Sequence, residues 1–169
     1  MSTYYIKQKI SSNDKYYVYD DNNKPYLKIM SNNKLLTFID RLFGGIFSFG
    51  NTLYIKSIDE DELITIKKKF GFFKKEYDLY NKKDKIASIK QHIMSINPKI
   101  SIVTKEDDYL ITGDLLGISF TISKNDIDIA QVKKVMFTFM DSYKIDIFED
   151  KDALICLSIL IVIDNSIHN

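Results

Sequence analysis

The stretch ALICLSILIVID, residues 153–164, constrains this chain more than any other. It holds eleven consecutive uncharged residues, Ala153 to Ile163, in a chain otherwise crowded with Lys, Asp and Asn. A bilayer-spanning helix needs ~20 apolar residues, so the stretch is too short to cross a membrane. Its five β-branched residues, Ile155, Ile159, Ile161, Val162 and Ile163, favour a strand. The lack of any alternation, and the acidic lead-in EDKD at 149–152, favour a helix with negative charge and an N-cap at its start. A helix that is apolar all round has to be buried all round. The expectation is therefore a hydrophobic C-terminal helix over about 152–165. Fourteen residues of helix measure ~21 Å, close to the ~20 Å of a six-residue strand.

Residues 1–149 supply strands to enclose it. Apolar residues alternate with polar ones, and many are β-branched or aromatic. In YYIKQKI, Tyr4, Ile6 and Ile10 share one face while Lys7 and Lys9 take the other. In KKDKIASIKQHI, Ile86 and Ser88 have the opposite parity to Ile89, Gln91 and Ile93, which predicts a bend or bulge. Polar turns at 20–25, 59–62, 81–84, 105–108 and 124–126 recur at hairpin spacing. Pro25 and Pro98 fall at turns or strand starts. The runs between turns number about twelve. The predicted fold is mainly β: a closed antiparallel barrel of about twelve strands around one central helix. The length suits a single domain, 1–169, with the barrel at 1–149.

A bent-hairpin unit recurs four times, at 6–20, 66–81, 89–103 and 132–148. Gln8, Lys68, Gln91 and Lys134 occupy the same slot in each copy, flanked two residues away by positions such as Ile6 and Ile10 or Ile66 and Phe70. Strict alternation would point these polar side chains into the core. A barrel rim or bulge, where the side chain escapes to water, accounts for them. So does a ring of polar residues lining a barrel mouth.

Charge and composition narrow the function. The formal net charge is +1, from 24 basic and 23 acidic residues, and Arg41 is the only arginine. Neither a whole-molecule field nor guanidinium forks are available for nucleic acid, so no nucleic-acid partner is expected. The lone cysteine, Cys156, excludes an intrachain disulfide and a multi-cysteine zinc site, and its neighbours mark it as a buried hydrophobe. The histidines are His92 and His168; Asp164 and His168, four apart, could pair at the helix end. The acidic turns lack the glycine and the terminal glutamate of a calcium loop, and no phosphate-cradling glycine loop occurs. No catalytic residue, metal or cofactor is assigned. The amino terminus shows no secretory pattern, so a cytoplasmic monomer, peripheral at a membrane if lipid is its ligand, is the expectation.

The hairpin repeats IKQKI, IKKKFGFFKKEYDLY and VKKVMFTFMDSYKIDIF, the segment ITGDLLGISFTI and the ending ALICLSILIVIDNSIH together resemble the LURP-one-related family of the Tubby-like superfamily. The resemblance implies twelve antiparallel strands around a hydrophobic C-terminal helix. RLFGGIFSFG, 41–50, departs from it by being longer and richer in glycine. The superfamily includes phosphoinositide-binding Tubby proteins and phospholipid scramblases, so the resemblance implies a non-enzymatic binding module for an anionic phospholipid or phosphoinositide-like headgroup. Lipid scrambling fits least, because no bilayer span remains once 153–163 fills the core. Among the residues themselves, KKKFGFFKK at 67–75 gathers Lys67, Lys69, Lys74 and Lys75 around Phe72 and Phe73, a combination suited to lipid phosphates and their interface. Arg41 with its glycine-containing apolar neighbours is a second candidate contact. Lysine runs also protect strand edges from aggregation. The alternatives are a protein-interaction module, or a small-ligand carrier or enzyme with a pocket at a barrel mouth.

Overall fold

The computed structural model describes residues 1–8, 14–31, 52–69, 74–92, 99–115, 119–135 and 142–167. They form twelve strands: β1 Ser2–Gln8, β2 Asp14–Asp20, β3 Pro25–Ser31, β4 Thr52–Ser57, β5 Glu62–Lys69, β6 Lys74–Asn81, β7 Asp84–His92, β8 Lys99–Val103, β9 Asp108–Asp114, β10 Ser119–Lys124, β11 Ile127–Val135 and β12 Ser142–Ile147. A 3₁₀ turn, Asp150–Asp152, leads into the helix α1, Ala153–Ile167. Each strand pairs antiparallel with its sequence neighbours, and β1 closes the barrel on β12 from Ser2 opposite Ile147 to Lys7 opposite Ser142.

An up-and-down barrel has two distinct ends. At the entry end the strands are joined by short turns in which Asn23, Glu60, Lys82, Asn125 and Asp126 take positive φ. Asn and Asp tolerate that conformation because their short polar side chains bond locally. The helix starts at this end. At the opposite, exit end the strands lead into 9–13, 32–51, 70–73, 93–98, 116–118 and 136–141.

Alternation makes the core. Ile6, Val18, Ile29, Ile55, Ile66, Leu79, Ile122, Val132 and Ile145 each keep 1% or less of their surface exposed, and they ring a helix buried without a break from Cys156 to Ser166. Each fully enclosed Ile or Leu is worth ~1.5–3 kcal/mol before the cost of ordering it. The helix of 15 residues measures about 22 Å. The parity break in KKDKIASIKQHI is a bulge: Leu79 faces Ala87 and Tyr80 faces Lys85, leaving Ile86 as the extra residue of β7. Gly113, at φ 123°, is where β9 runs tightest on β10, since a Cβ there would lie 2.5 Å from the Ser119 carbonyl oxygen.

The start of the helix differs in detail from expectation. The acidic residues belong to the 3₁₀ turn rather than to the first turn of α1, and Glu149 makes no side-chain cap. The Asp152 amide instead donates to the Glu149 carbonyl at 3.0 Å.

Cys156 has none of its surface exposed, and burial pushes its thiol up to about 12. A thiol reagent attacks the thiolate. In native buffer Cys156 should therefore react only at the rate of unfolding, and rapidly near the denaturation midpoint. Fast labelling under native conditions would mean that the helix leaves an intact barrel.

Candidate functional site

The last turn of a helix leaves carbonyls without partners inside the helix, and here that turn lies inside the exit end of the barrel. Tyr16 (2.5 Å) and Tyr143 donate their hydroxyls to the two carboxylate oxygens of Asp164. The Asn165 amide donates to the Tyr77 hydroxyl at 3.4 Å, and Lys75 donates to the Ser166 carbonyl at 2.6 Å. Burial, and then the Asp164 charge, raise the Tyr16 hydroxyl far above its usual range. Burial pushes Tyr77 up to about 12. These hydroxyls therefore stay protonated. Burial alone lowers the Lys75 ammonium, while the helix's negative end favours a cation there.

The four slot residues meet at this same end. Gln8, Lys68, Gln91 and Lys134 stand in the last rungs of β1, β5, β7 and β11. Register sets Gln8 opposite Tyr16, Lys68 opposite Tyr77, Gln91 opposite Lys75 and Ile100, and Lys134 opposite Tyr143. Gln91 is buried, with no partner for its Oε1 among the described residues; Lys68 is half-buried and Lys134 exposed. Sequence reasoning missed the tyrosines. Their signal was present, because three of the four repeats carry a tyrosine ten or eleven residues after the opening apolar residue, and those tyrosines receive the helix end.

The lysines of KKKFGFFKK do not share a face. Lys67 is exposed on the outer wall, its ammonium 4.8 Å from the Tyr80 ring centre. Lys69 is outside too, bound to Glu76 at 2.9 Å and Asp78 at 3.0 Å, which raise its pKa. Lys75 turns inward to the helix. Lys74 begins β6. Arg41, Phe72 and Phe73, with His168, lie outside the described residues.

Asp78 anchors the outer wall below these lysines. Burial alone would raise its pKa, but hydrogen bonds from Lys85 (2.7 Å), Ser88 and Lys69 outweigh that and hold it at about 2.

The LURP-one-related family profile matches residues 2–164. The chain belongs to the LURP-one-related family. Among relatives, this LURP-one-related chain is 24% identical to the uncharacterised protein YxjI of Bacillus subtilis (strain 168), over 98% of its own length and 93% of the relative's. A crystal structure of an Arabidopsis thaliana protein superposes with a TM-score of 0.67 at 12% identity, covering 98% of this chain and 90% of that one. That likeness is one of fold. Among the described residues, no helix is long and apolar enough to cross a membrane.

Removing one donor from a buried carboxylate costs about 1–3 kcal/mol. Tyr143→Phe should destabilise the protein by that amount, and Tyr16→Phe likewise. The double variant should depart from additivity, since both hydroxyls serve one carboxylate. Additive losses in denaturant titrations would show that the two act separately. Asp78, depressed in the folded state, contributes stability above its unfolded pKa of about 3.9. That contribution should be lost as pH falls from about 4 to about 2, and Asp78→Asn should flatten the fall.

Proposed function

We propose that this chain is a non-enzymatic binding module whose exit end recognises anionic phospholipid headgroups at a membrane surface. The observation that carries the reading is topological. The chain enters and leaves 32–51, which contains RLFGGIFSFG, and 70–73, which contains Phe72 and Phe73, at one end of the barrel. The strand ends that border these two aromatic, glycine-containing stretches, with Lys67, Lys69 and Lys74 among their residues, thus lie at a single end. Aromatic rings suit the headgroup boundary, and each lysine near an anionic surface adds ~1 kcal/mol.

The filled barrel supports recognition on the outside. A carrier needs a cavity, and α1 occupies the barrel axis with residues buried on every side. Lys69 contributes least to the field, because two carboxylates already match it. Lys67 and Lys74 are the lysines to test.

Purified protein should float with anionic vesicles and not with neutral ones, and should bind less as salt rises from low to physiological. Lys67→Glu with Lys74→Glu should lower that binding by more than about tenfold. Equal flotation with neutral vesicles, or a charge-reversed variant that binds as well, would overturn the reading.

A further inference from the structure

Exposed apolar residues gather on one arc of the entry-end rim. Leu27 faces Ser57, so Tyr26 and Ile58 stand side by side where β3 and β4 reach that end. The Phe148 amide donates to the Ile129 carbonyl at 2.9 Å, which sets Phe148 beside β11, two positions from Ile127. β1 joins the two pairs: the Tyr4 ring stacks on Tyr26 with centres 4.9 Å apart, and the Ser2 hydroxyl donates to Asp150. Tyr26, Ile58, Ile127 and Phe148 are between 40% and 69% exposed. One exposed apolar side chain is ordinary, but a group of them on one rim marks a contact surface.

The same arc is acidic. Segments 20–24, 57–62, 124–128 and 148–152 hold eleven carboxylates and three lysines. Lys7, bonded to Asn23 at 3.2 Å, and Lys28 and Lys56, both bonded to Glu60, bring the lysines to six and still leave the carboxylates in excess. The other half of the entry end differs. There β8 meets β9 through two residue pairs and the wall parts beside Ile155, but segments 81–85 and 104–108 hold four carboxylates and four lysines, so no charge selects an occupant.

Charge decides what the arc fits. It repels an anionic lipid surface, and a twofold dimer through it would set carboxylates against carboxylates. A metal ion needs ligands that converge, and among the described residues no three of His, Cys, Asp or Glu do so. Carboxylates spread around exposed aromatic and aliphatic side chains match a protein surface of the opposite pattern, because interfaces join an apolar centre to a polar rim of complementary potential.

We propose that the entry-end arc running from β11 through β1 to β4 docks a basic segment of a protein partner. Two apolar side chains of the segment cover the Tyr26–Ile58 and Ile127–Phe148 pairs, and its lysines or arginines meet the carboxylates around them. From β3 to β12 is three strand spacings, about 14 Å, the reach of about four extended residues. This site lies at the end opposite the lipid-facing one and does not depend on the lipid reading.

The probe is a synthetic acetyl-Lys-Phe-Lys-Ser-Lys-Phe-Lys amide titrated into the full chain at physiological salt. The methyl resonances of Ile58 and Ile127 should shift saturably. Asp59→Lys with Asp61→Lys, exposed positions beside Ile58, should weaken binding by roughly tenfold. Asp84→Lys with Glu106→Lys, the same change of charge on the other half of the entry end, should leave it within about twofold. Ile127→Ser with Phe148→Ser should weaken binding as much as the first pair, with the melting temperature reporting that the variant folds. Four results would overturn the proposal. The first is no saturable shift at Ile58 and Ile127. The second is equal binding of the peptide with glutamate in place of lysine, or with serine in place of phenylalanine. The third is equal weakening by the two charge-reversed pairs, which would leave net charge alone as the cause. The fourth is a shift at Ile127 on concentrating the chain without peptide, which would give the arc to a second copy.

Discussion

A helix apolar on every side, as α1 is from Ala153 to Ile163, has no side it can leave exposed to water, and this structure is organised around that constraint. A sheet covering one face would strand the other, so the strands close on themselves, with β1 meeting β12. Alternation then divides every strand into a half that touches the helix and a half that carries the charge of the surface. The carbonyls of the last helical turn are the remaining difficulty. Lys75 donates to the Ser166 carbonyl and the Ser166 hydroxyl to the Ile163 carbonyl, while Tyr16, Tyr143 and Tyr77 bond the Asp164 and Asn165 side chains beside them.

Much of this was legible in the residues. The length and uniformity of 153–163 marked the helix, alternation marked the strands, and a parity break marked the bulge that falls at Ile86. The common slot of Gln8, Lys68, Gln91 and Lys134 places all four at one end, because four like hairpins of an up-and-down barrel turn at the same end. What was not legible depends on distant partners. Asp164 finds Tyr16 from 148 residues away, a pairing that no local pattern announces. The run KKKFGFFKK reads as one positive cluster along the sequence. The pleat, however, sends Lys67 and Lys69 to the outer wall and Lys75 inward, and Glu76 and Asp78 match Lys69 from the adjacent strand. The poor zipping of β8 could not be read either, since its alternation resembles that of a fully paired strand.

A barrel whose axis is occupied gives up the interior as a binding site, and recognition moves to the surface. The two ends then differ in kind. At the exit end the strands lead into sequence that holds aromatic and basic residues, while at the entry end short turns join them and the wall parts beside Ile155.

The order of the elements along the chain bears on how it is made. All twelve strands emerge from the ribosome before α1, and β1 waits for a partner 145 positions later in the pairing of Ser2 with Ile147. Until the final segment arrives, the inner faces of the strands have nothing to pack on and the first strand has one open edge. Such long-range pairing makes folding slow and leaves apolar surface open to aggregation. Synthesis of this chain therefore leaves the strands without a core until α1 has emerged, and a stop codon at the start of α1, near Ala153, would yield the twelve strands with nothing for their inner faces to pack on.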